Sequence, residues 1–397
     1  MEYISRTDTS SANNFPFWSR GFSLLLAGTL ALLLSACGGG GGGSGGGSAG
    51  GGGGGANTQC VLTEEQLDNL TPADVASLPA ACDGISFFDV PAIEGLFILG
   101  TEVDGGTGEL KLYVHGVKQN GQPMTIADFE QATLTVGGKA FDRQAEWNVA
   151  AVADGSILSM VTLADYSTSI TDADLEGMGD LYDIVLKGAP AGYESEQINF
   201  SSLGDVPAIT VKPGVADPHW SNVLNDLLDA NDLDAAQQRD NTTLFDAMGI
   251  ALMGPLADRF DPFADTHGLV ERSTPASLMI VQTDGQDNAS LAMTQNELTD
   301  LIDRCHTAAI MLGTFRSEVD ALVLDDLAGT RGIAVNALNT NFLEEAIKPY
   351  AESLGNLVVF TISSDTEFDG KMVSIDAGGI TASEVEPFNI DGTCQSL

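Results

Sequence analysis

Ile157-Leu-Ser-Met-Val-Thr-Leu-Ala-Asp165-Tyr166-Ser167-Thr168-Ser169 joins an almost continuous apolar run to a polar loop. A short run of this kind, rich in branched side chains, is typical of a β-strand that is buried on both faces. The loop behind it offers one carboxylate and two hydroxyl groups at alternate positions. The stretch therefore predicts a strand of a helix-covered sheet that ends at a cluster of oxygen ligands.

Apolar runs alternate with helical stretches on the C-terminal side of this loop. Including the opening run, we predict strands at Ile157–Leu163, Gln197–Ser201, Ala208–Lys212, Ser277–Thr283, Ala308–Thr314 and Leu357–Ser363. Helices are predicted at Asp172–Lys187, Trp220–Asp229, Thr243–Asp258, Gln295–Arg304, Ser317–Leu327 and Phe342–Leu354. This alternation predicts an α/β fold over residues 155–365, with a doubly wound, mostly parallel sheet flanked by helices.

Two further oxygen-bearing residues stand at comparable places in the pattern. Thr242 immediately precedes a predicted helix, and Asp284 immediately follows a predicted strand. Ligands of open α/β sheets bind outside the carboxyl ends of the strands, where the strand order reverses. We therefore expect Thr242 and Asp284 to lie close to the loop that begins at Asp165.

Together, Asp165, Ser167, Ser169, Thr242 and Asp284 resemble the metal-ion-dependent adhesion site of the von Willebrand factor type A domain. That site combines an Asp-x-Ser-x-Ser loop, a threonine before a helix and an aspartate after a strand. The resemblance covers roughly residues 155–365 and includes the order of strands and helices. It implies three hydroxyl ligands and two carboxylates, which bind Mg²⁺, or Mn²⁺ or Ca²⁺, directly or through water.

A site of this composition is suited to capturing a carboxylate from another protein. Magnesium requires near-octahedral oxygen coordination and usually keeps several waters, so one position stays open to a partner. We therefore expect a metal-dependent protein-binding module, used in adhesion or envelope assembly, whose partner presents an acidic residue. Tyr166 is the candidate aromatic contact for that partner, although it could equally pack into the loop.

Two other functions compete with this interpretation. An exported hydrolase on an α/β scaffold would need an activated nucleophile, but no Gly-x-Ser-x-Gly motif occurs outside the glycine-rich stretch 38–55. Its four histidines, of which His115 is the first, are expected to be surface or capping residues rather than catalytic bases. A metal-independent structural lipoprotein is the second alternative. The sequence favours a protein that is not an enzyme.

The N-terminal segment predicts export and lipid attachment. Gly21–Leu34 is almost wholly apolar and is followed by Ser35, Ala36 and Cys37. This apolar run is shorter than the roughly 20 residues that span a bilayer, so residues 1–36 are expected to be a lipoprotein signal peptide. Cleavage would expose Cys37 for lipidation. Gly38 follows the cysteine, which favours the bacterial outer membrane over retention at the inner membrane.

Residues 37–55 form a glycine-rich linker with an expected reach of roughly 20 to 25 Å. A helical preamble is expected over residues 56–94, and a small β domain over 95–150 that residues 366–397 could complete. Four cysteines remain in an oxidising compartment, where disulfides persist. Four cysteines allow three pairings, of which Cys60–Cys82 with Cys305–Cys394 is the expected one.

The chain carries 56 acidic and 16 basic side chains, a formal net charge of -40. Such a surface repels the phosphate backbone of nucleic acids and anionic headgroups. The composition therefore excludes nucleic acid as an expected partner and leaves the lipid anchor as the expected contact with the membrane.

Overall fold

The computed structural model describes residues 60, 62–83, 88–103, 107–143, 145–152, 157–168, 170, 172–203, 206–213, 241–253, 274–305, 307–314, 321–329, 331–363 and 371–384. All of them belong to one compact unit, Thr58–Leu397. The predicted signal peptide, Cys37 and the glycine-rich linker lie outside the described residues, as does the predicted helix Trp220–Asp229. Among the described residues, no helix is long and apolar enough to span a bilayer.

Fourteen strands are described, numbered in chain order, and they form two sheets. The large sheet contains β1 (Gly95–Val103), β2 (Leu110–Val117), β5 (Trp147–Ala151), β6 (Leu158–Asp165), β7 (Glu194–Leu203), β8 (Val206–Pro213), β9 (Ala276–Gln282), β10 (Ala308–Thr314), β11 (Ile333–Ala337) and β12 (Val358–Ile362). The small sheet contains β3 (Thr133–Val136), β4 (Lys139–Phe141), β13 (Val373–Ala377) and β14 (Ile380–Glu384).

The described helices are α1 (Glu64–Asp68), α2 (Ile126–Phe129), α3 (Asp172–Gly188), α4 (Leu244–Met253), α5 (Gln295–Arg304), α6 (Ala321–Ala328) and α7 (Thr340–Leu354). Their starts follow local capping chemistry. Thr294 opens α5 with a capping box, in which its hydroxyl oxygen accepts from the Glu297 N–H while the Glu297 carboxylate accepts from the Thr294 N–H. Asn339 caps α7 by accepting from the Phe342 N–H.

The strand order places a topological switch point between β6 and β9. Neighbouring strands run β8-β7-β6-β9-β10-β11, and all neighbours are parallel except the antiparallel pair β7 and β8. From β6 the chain builds outward to β7 and β8, returns to the other side of β6 as β9, and continues to β10 and β11. The α/β fold class, with a doubly wound sheet and a small accessory sheet, is confirmed.

Helices cover both faces of this sheet, which explains the continuous apolar strands. Every residue of β6 is buried. Met160 packs into the cluster that contains α3 and α7, whereas Val161 and Leu163 pack into the cluster on α4, α5 and α6. Burial of each such side chain contributes about 1.5 to 3 kcal/mol relative to exposure. The parallel strands are therefore the centre of the core.

An antiparallel ribbon in the order β5-β12-β2-β1 extends the large sheet through a bridge between Gly100 and Ala276. A Cβ atom at Gly100 would lie 1.9 Å from the Pro275 carbonyl oxygen, so the strands meet there only because residue 100 is glycine. The predicted small β domain therefore shares a sheet with the α/β region. In the small sheet, β13 pairs with β3, with Val373 opposite Val136.

The preamble is fastened to the start of α7. A disulfide joins Cys60 to Cys82, as expected, and Cys305 is disulfide-bonded as well; Cys394 lies outside the described residues. The Asn339 side-chain amide donates to three carbonyl oxygens at the C-terminal end of α1, those of Leu67, Asp68 and Leu70. One asparagine thus caps α7 and binds the preamble.

His115 is a core residue, so the prediction of a surface or capping histidine is wrong. Its ring is fully buried between Phe97 and Tyr350. The Ser353 hydroxyl donates to the Tyr350 carbonyl oxygen and therefore accepts from Nδ1–H of His115, at 2.6 Å. Burial lowers the pKa of His115 to about 3, so the ring is neutral at physiological pH.

Candidate metal centre

Asp165 is the last residue of β6, and its side chain is fully buried. Its Oδ1 accepts a hydrogen bond of 2.8 Å from the Ser167 N–H, which shapes the turn after the strand. The Tyr166 N–H donates to the Phe200 carbonyl oxygen at 2.8 Å, so pairing with β7 continues one residue beyond β6. The end of the strand therefore fixes the backbone positions from which the Asp165 and Ser167 side chains extend.

Thr283, just after the adjacent strand β9, is a site residue that the sequence analysis missed. Its hydroxyl donates to Oδ2 of Asp165 at 2.7 Å and accepts from the Gly285 N–H at 3.2 Å. Gly285 has a φ of 77°, a conformation that favours glycine. The signal that could have revealed Thr283 is a hydroxyl residue directly before Asp284, at the end of a strand next to β6.

Two buried carboxylates lie close enough to affect each other's charge. Burial, and then the negative charge of Asp284, raise the pKa of Asp165 to about 7, although hydrogen bonds from Thr283 and Ser167 oppose the shift. None of the groups that shift this pKa is a cation. Because paired carboxylates in a water-poor site repel each other, a bound divalent cation would stabilise both. The residues present therefore fit a hard metal ion.

Thr242 is held against the loop that follows Asp284. Its N–H donates to Oδ1 of Asn288 at 2.8 Å, and its carbonyl oxygen accepts from the N–H groups of Asn288 and Ala289. The sequence analysis did not identify Asn288 as a site residue. Thr242 is 2% exposed, and these three hydrogen bonds hold its backbone beside the loop.

Asp246 ties the same loop to α4. Its carboxylate is fully buried and accepts from three consecutive backbone N–H groups. Leu291 donates to Oδ2 at 2.8 Å, and Ala292 and Met293 each donate to Oδ1 at 2.9 Å. Burial raises the pKa of Asp246, and these three N–H groups oppose that shift.

The loop binds α4 in return. Oδ2 of Asp287 accepts from the Phe245 N–H at 2.8 Å, and the Ser290 hydroxyl oxygen accepts from the Asp246 N–H at 3.0 Å. The Ser290 hydroxyl itself donates to Asp287. We call this two-way arrangement, centred on Asp246 and Asp287, the reciprocal latch. It connects the helix behind Thr242 to the loop behind Asp284 so that they form one rigid edge.

The structure brings four of the five predicted metal ligands to this edge: Asp165, Ser167, Thr242 and Asp284. Ser169 lies outside the described residues. In the described part of the chain no three His, Cys, Asp or Glu side chains group together as metal ligands; the site consists of two carboxylates with hydroxyl groups.

Tyr166 is not the exposed contact that the sequence predicted. Its side chain is half-buried against the apolar cluster of α3 and α7, and its hydroxyl oxygen is buried. Tyr166 packs against this core cluster rather than into its own loop.

No profile of a known protein family matches the chain, and no curated protein matches it. Solved structures similar to this one include a von Willebrand factor type A protein from Catenulispora acidiphila, at 9% identity and a TM-score of 0.34 over 73% of this chain and 71% of that chain. Manganese-loaded Plasmodium vivax TRAP protein is 11% identical, at a TM-score of 0.35 over 60% and 96%.

The pilus adhesin SpaC from Lactobacillus rhamnosus GG is 12% identical, with a TM-score of 0.33, and the match covers 66% of this chain and 34% of SpaC. The chain thus spans about a third of that adhesin. Identities and TM-scores this low carry no argument about function, which has to come from the strand order and the site residues of the chain itself.

Proposed function

We propose that this protein is a metal-dependent protein-binding module that captures an acidic residue of a partner. The observation that carries the proposal is the pair of buried carboxylates, Asp165 and Asp284, at the switch point between β6 and β9. Switch points of open α/β sheets are where such folds bind ligands. Two carboxylates without a cation would be costly to bury there, and a metal ion removes that cost.

Asp165, Ser167, Thr242 and Asp284 would hold the metal, with Ser169 as the fifth predicted ligand. A bound Mg²⁺, Mn²⁺ or Ca²⁺ would supply the positive charge that attracts a partner's carboxylate. The protein's own residues position the site. Thr283 orients the Asp165 carboxylate, and the reciprocal latch keeps Thr242 and Asp284 in register.

We further propose that the module acts at a membrane and is not an enzyme. Lipidation of Cys37 and the linker 37–55 would hold it at the bacterial outer membrane. Tethering raises the effective concentration of a weak, metal-dependent contact toward neighbouring proteins. Capture of a carboxylate needs no catalytic base. The fully buried pair of His115 and Ser353 is out of reach of a substrate in this conformation.

Calorimetric titration with Mg²⁺ or Mn²⁺ tests the metal site. We expect saturable binding to the wild type, none to Asp165→Ala, and binding weakened by roughly tenfold or more in Ser167→Ala. Asp89→Ala removes an exposed carboxylate and is the control. Equal heats from all variants would refute the site.

A pull-down from bacterial envelope extract, with and without EDTA, tests partner binding. We expect one or more proteins to be retained in Mg²⁺ and released by EDTA, and not to be retained by Asp165→Ala. A partner that stays bound in EDTA would instead support the metal-independent structural function.

A further inference from the structure

Leu291 is an unusually exposed apolar side chain on the loop that follows Asp284. It is 67% exposed, whereas Ala289 and Met293 on either side of it are buried at 5%. Isolated exposed leucines are common on protein surfaces, so exposure alone indicates little. The position of Leu291 and the rigidity of its backbone distinguish it.

The backbone of Leu291 is fixed by the reciprocal latch. Its N–H donates to the buried Asp246 carboxylate at 2.8 Å, and the N–H groups of the next two residues bind the same carboxylate. Ser290, directly before it, is bonded to Asp287 through both its N–H and its hydroxyl. Because the backbone of Leu291 is already ordered, a partner that covers this side chain does not have to order the loop, and that lowers the entropic cost of binding.

The outward side of this loop carries no charge. Its exposed side chains are those of Gln286, Asn288 and Leu291, and the only charged residue between them, Asp287, is half-buried in the reciprocal latch. The chain as a whole has a net charge of -40. An acidic partner is repelled by most of such a surface and much less by this neutral loop.

The geometry points to this outward side as the surface that selects the partner, with Leu291 as its apolar contact. The loop is continuous with Asp284 and bonded to Thr242. This inference rests on the proposed function: the metal binds the partner's carboxylate, and Leu291 covers an apolar side chain close to that carboxylate in the partner's sequence. The partner is therefore a peptide segment in which an acidic residue is accompanied by an apolar one.

A displayed library of random peptides tests this inference with the detergent-solubilised full-length chain. The library is bound in Mg²⁺ and eluted with EDTA. We expect the wild type to enrich peptides in which an acidic residue has an apolar residue nearby. Leu291→Ser should retain the acidic enrichment and lose the apolar one, and single recovered peptides should bind it about tenfold more weakly.

Leu322→Ser is the matched control, because Leu322 is 63% exposed on α6; it should select like the wild type. Equal melting temperatures and Mg²⁺ affinities in all three proteins exclude a folding effect. An unchanged apolar preference in Leu291→Ser, or no such preference in the wild type, overturns the inference. If the wild type does not enrich acidic peptides, the proposed function is overturned, and the acidic half of this inference with it. If an apolar preference remains in that case, its loss in Leu291→Ser still supports Leu291 as the apolar contact, and its persistence overturns that role.

Discussion

At the residue scale, two contrasting kinds of buried polar side chain lead to experiments. Asp165 and Asp284 are carboxylates whose charges repel each other, so they raise the energy of the metal-free protein. His115 is a neutral base whose Nδ1–H is satisfied by Ser353. Under the proposed function a bound cation would stabilise the first kind, whereas core packing accounts for the second. Each leads to a different experiment.

Thr283→Val should weaken metal binding without removing any predicted ligand. The valine fills nearly the same volume but cannot donate to the Asp165 carboxylate. Loss of a partner that orients a metal ligand typically costs roughly 10 to 100-fold in metal affinity. Calorimetric titration with Mg²⁺ measures the effect. Thr283→Ser keeps the hydroxyl group and should bind nearly as well as the wild type; equal affinity in Thr283→Val would show that the hydroxyl group does not position Asp165.

His115 should make the protein acid-sensitive. Its pKa is about 3 in the folded state and about 6.5 in the unfolded chain, so between these values the unfolded state binds more protons. The stabilising effect of the neutral ring is therefore complete above pH 6.5 and is lost at about 1.4 kcal/mol per pH unit as the pH falls toward 3. Urea unfolding of the wild type and His115→Gln at pH 7 and pH 5 measures the difference.

The stability of His115→Gln should fall less between pH 7 and pH 5 than that of the wild type. The carboxylates with raised pKa act in the opposite direction in both proteins, so the comparison isolates the histidine. A parallel loss of stability in the two proteins would contradict a buried neutral His115.

At the element scale, the reciprocal latch is what makes the switch point rigid. α4 begins at Leu244, two residues after Thr242, and the loop from Asp284 to Met293 lies against its first turn. The capping groups of this helix come from residues more than 40 positions later in the chain. The helix start and the loop therefore stabilise each other, and a change in either should reach the metal ligands.

Asp246→Asn should lower both stability and metal affinity. The amide keeps one acceptor oxygen but turns an NH₂ group toward backbone N–H donors. Hydrogen bonds to a charged acceptor contribute about 1.5 to 3 kcal/mol each, so we expect the free energy of unfolding to fall by about 2 kcal/mol or more. Urea unfolding and calorimetric titration with Mg²⁺ measure the two effects.

Asp326→Asn changes an exposed carboxylate on α6 and serves as the control for Asp246→Asn. If Asp246→Asn lowers stability but leaves the Mg²⁺ affinity unchanged, the latch supports the fold and does not position the metal ligands.

At the scale of the whole molecule, the preamble is the described segment nearest in sequence to the predicted tether. The Cys60–Cys82 disulfide closes it into a loop, and Asn339 and Asn341 donate to its carbonyl oxygens. A force applied to the chain before residue 60 would be transmitted to the core through this loop and its hydrogen bonds to α7. The disulfide confines that connection to a small segment.

Replacing both Cys60 and Cys82 by alanine should loosen the preamble more than the core. Closing a loop of this size stabilises by about 3.4 kcal/mol in the chain-entropy relation, and only part of that should be lost, since the parallel sheet has its own core. Limited proteolysis should cut the variant within residues 62–82 before the rest of the chain. Uniform cleavage throughout the chain would mean that the preamble and the α/β fold unfold together.

The sequence by itself determined the elements whose burial is local and continuous. β10 and α5 have the bounds that were predicted, and β6 differs by one residue at its start and two at its end. Continuous apolar runs indicate strands covered on both faces, and capping residues indicate helix starts. Both patterns can be read from the sequence because each involves residues that are neighbours in the chain. For the same reason, polar residues at those ends identified Asp165 and Asp284 as site candidates.

The tertiary structure alone decided which elements meet. The attachment of the β1 ribbon to β9 at Gly100, the burial of His115 against α7 and the capture of three N–H groups by Asp246 all join residues that are distant in the sequence. Periodicity records that a side chain is covered but not by which element. The sequence therefore did not show that Tyr166 is half-buried and Leu291 exposed. The residues that cover a loop side chain come from other parts of the chain.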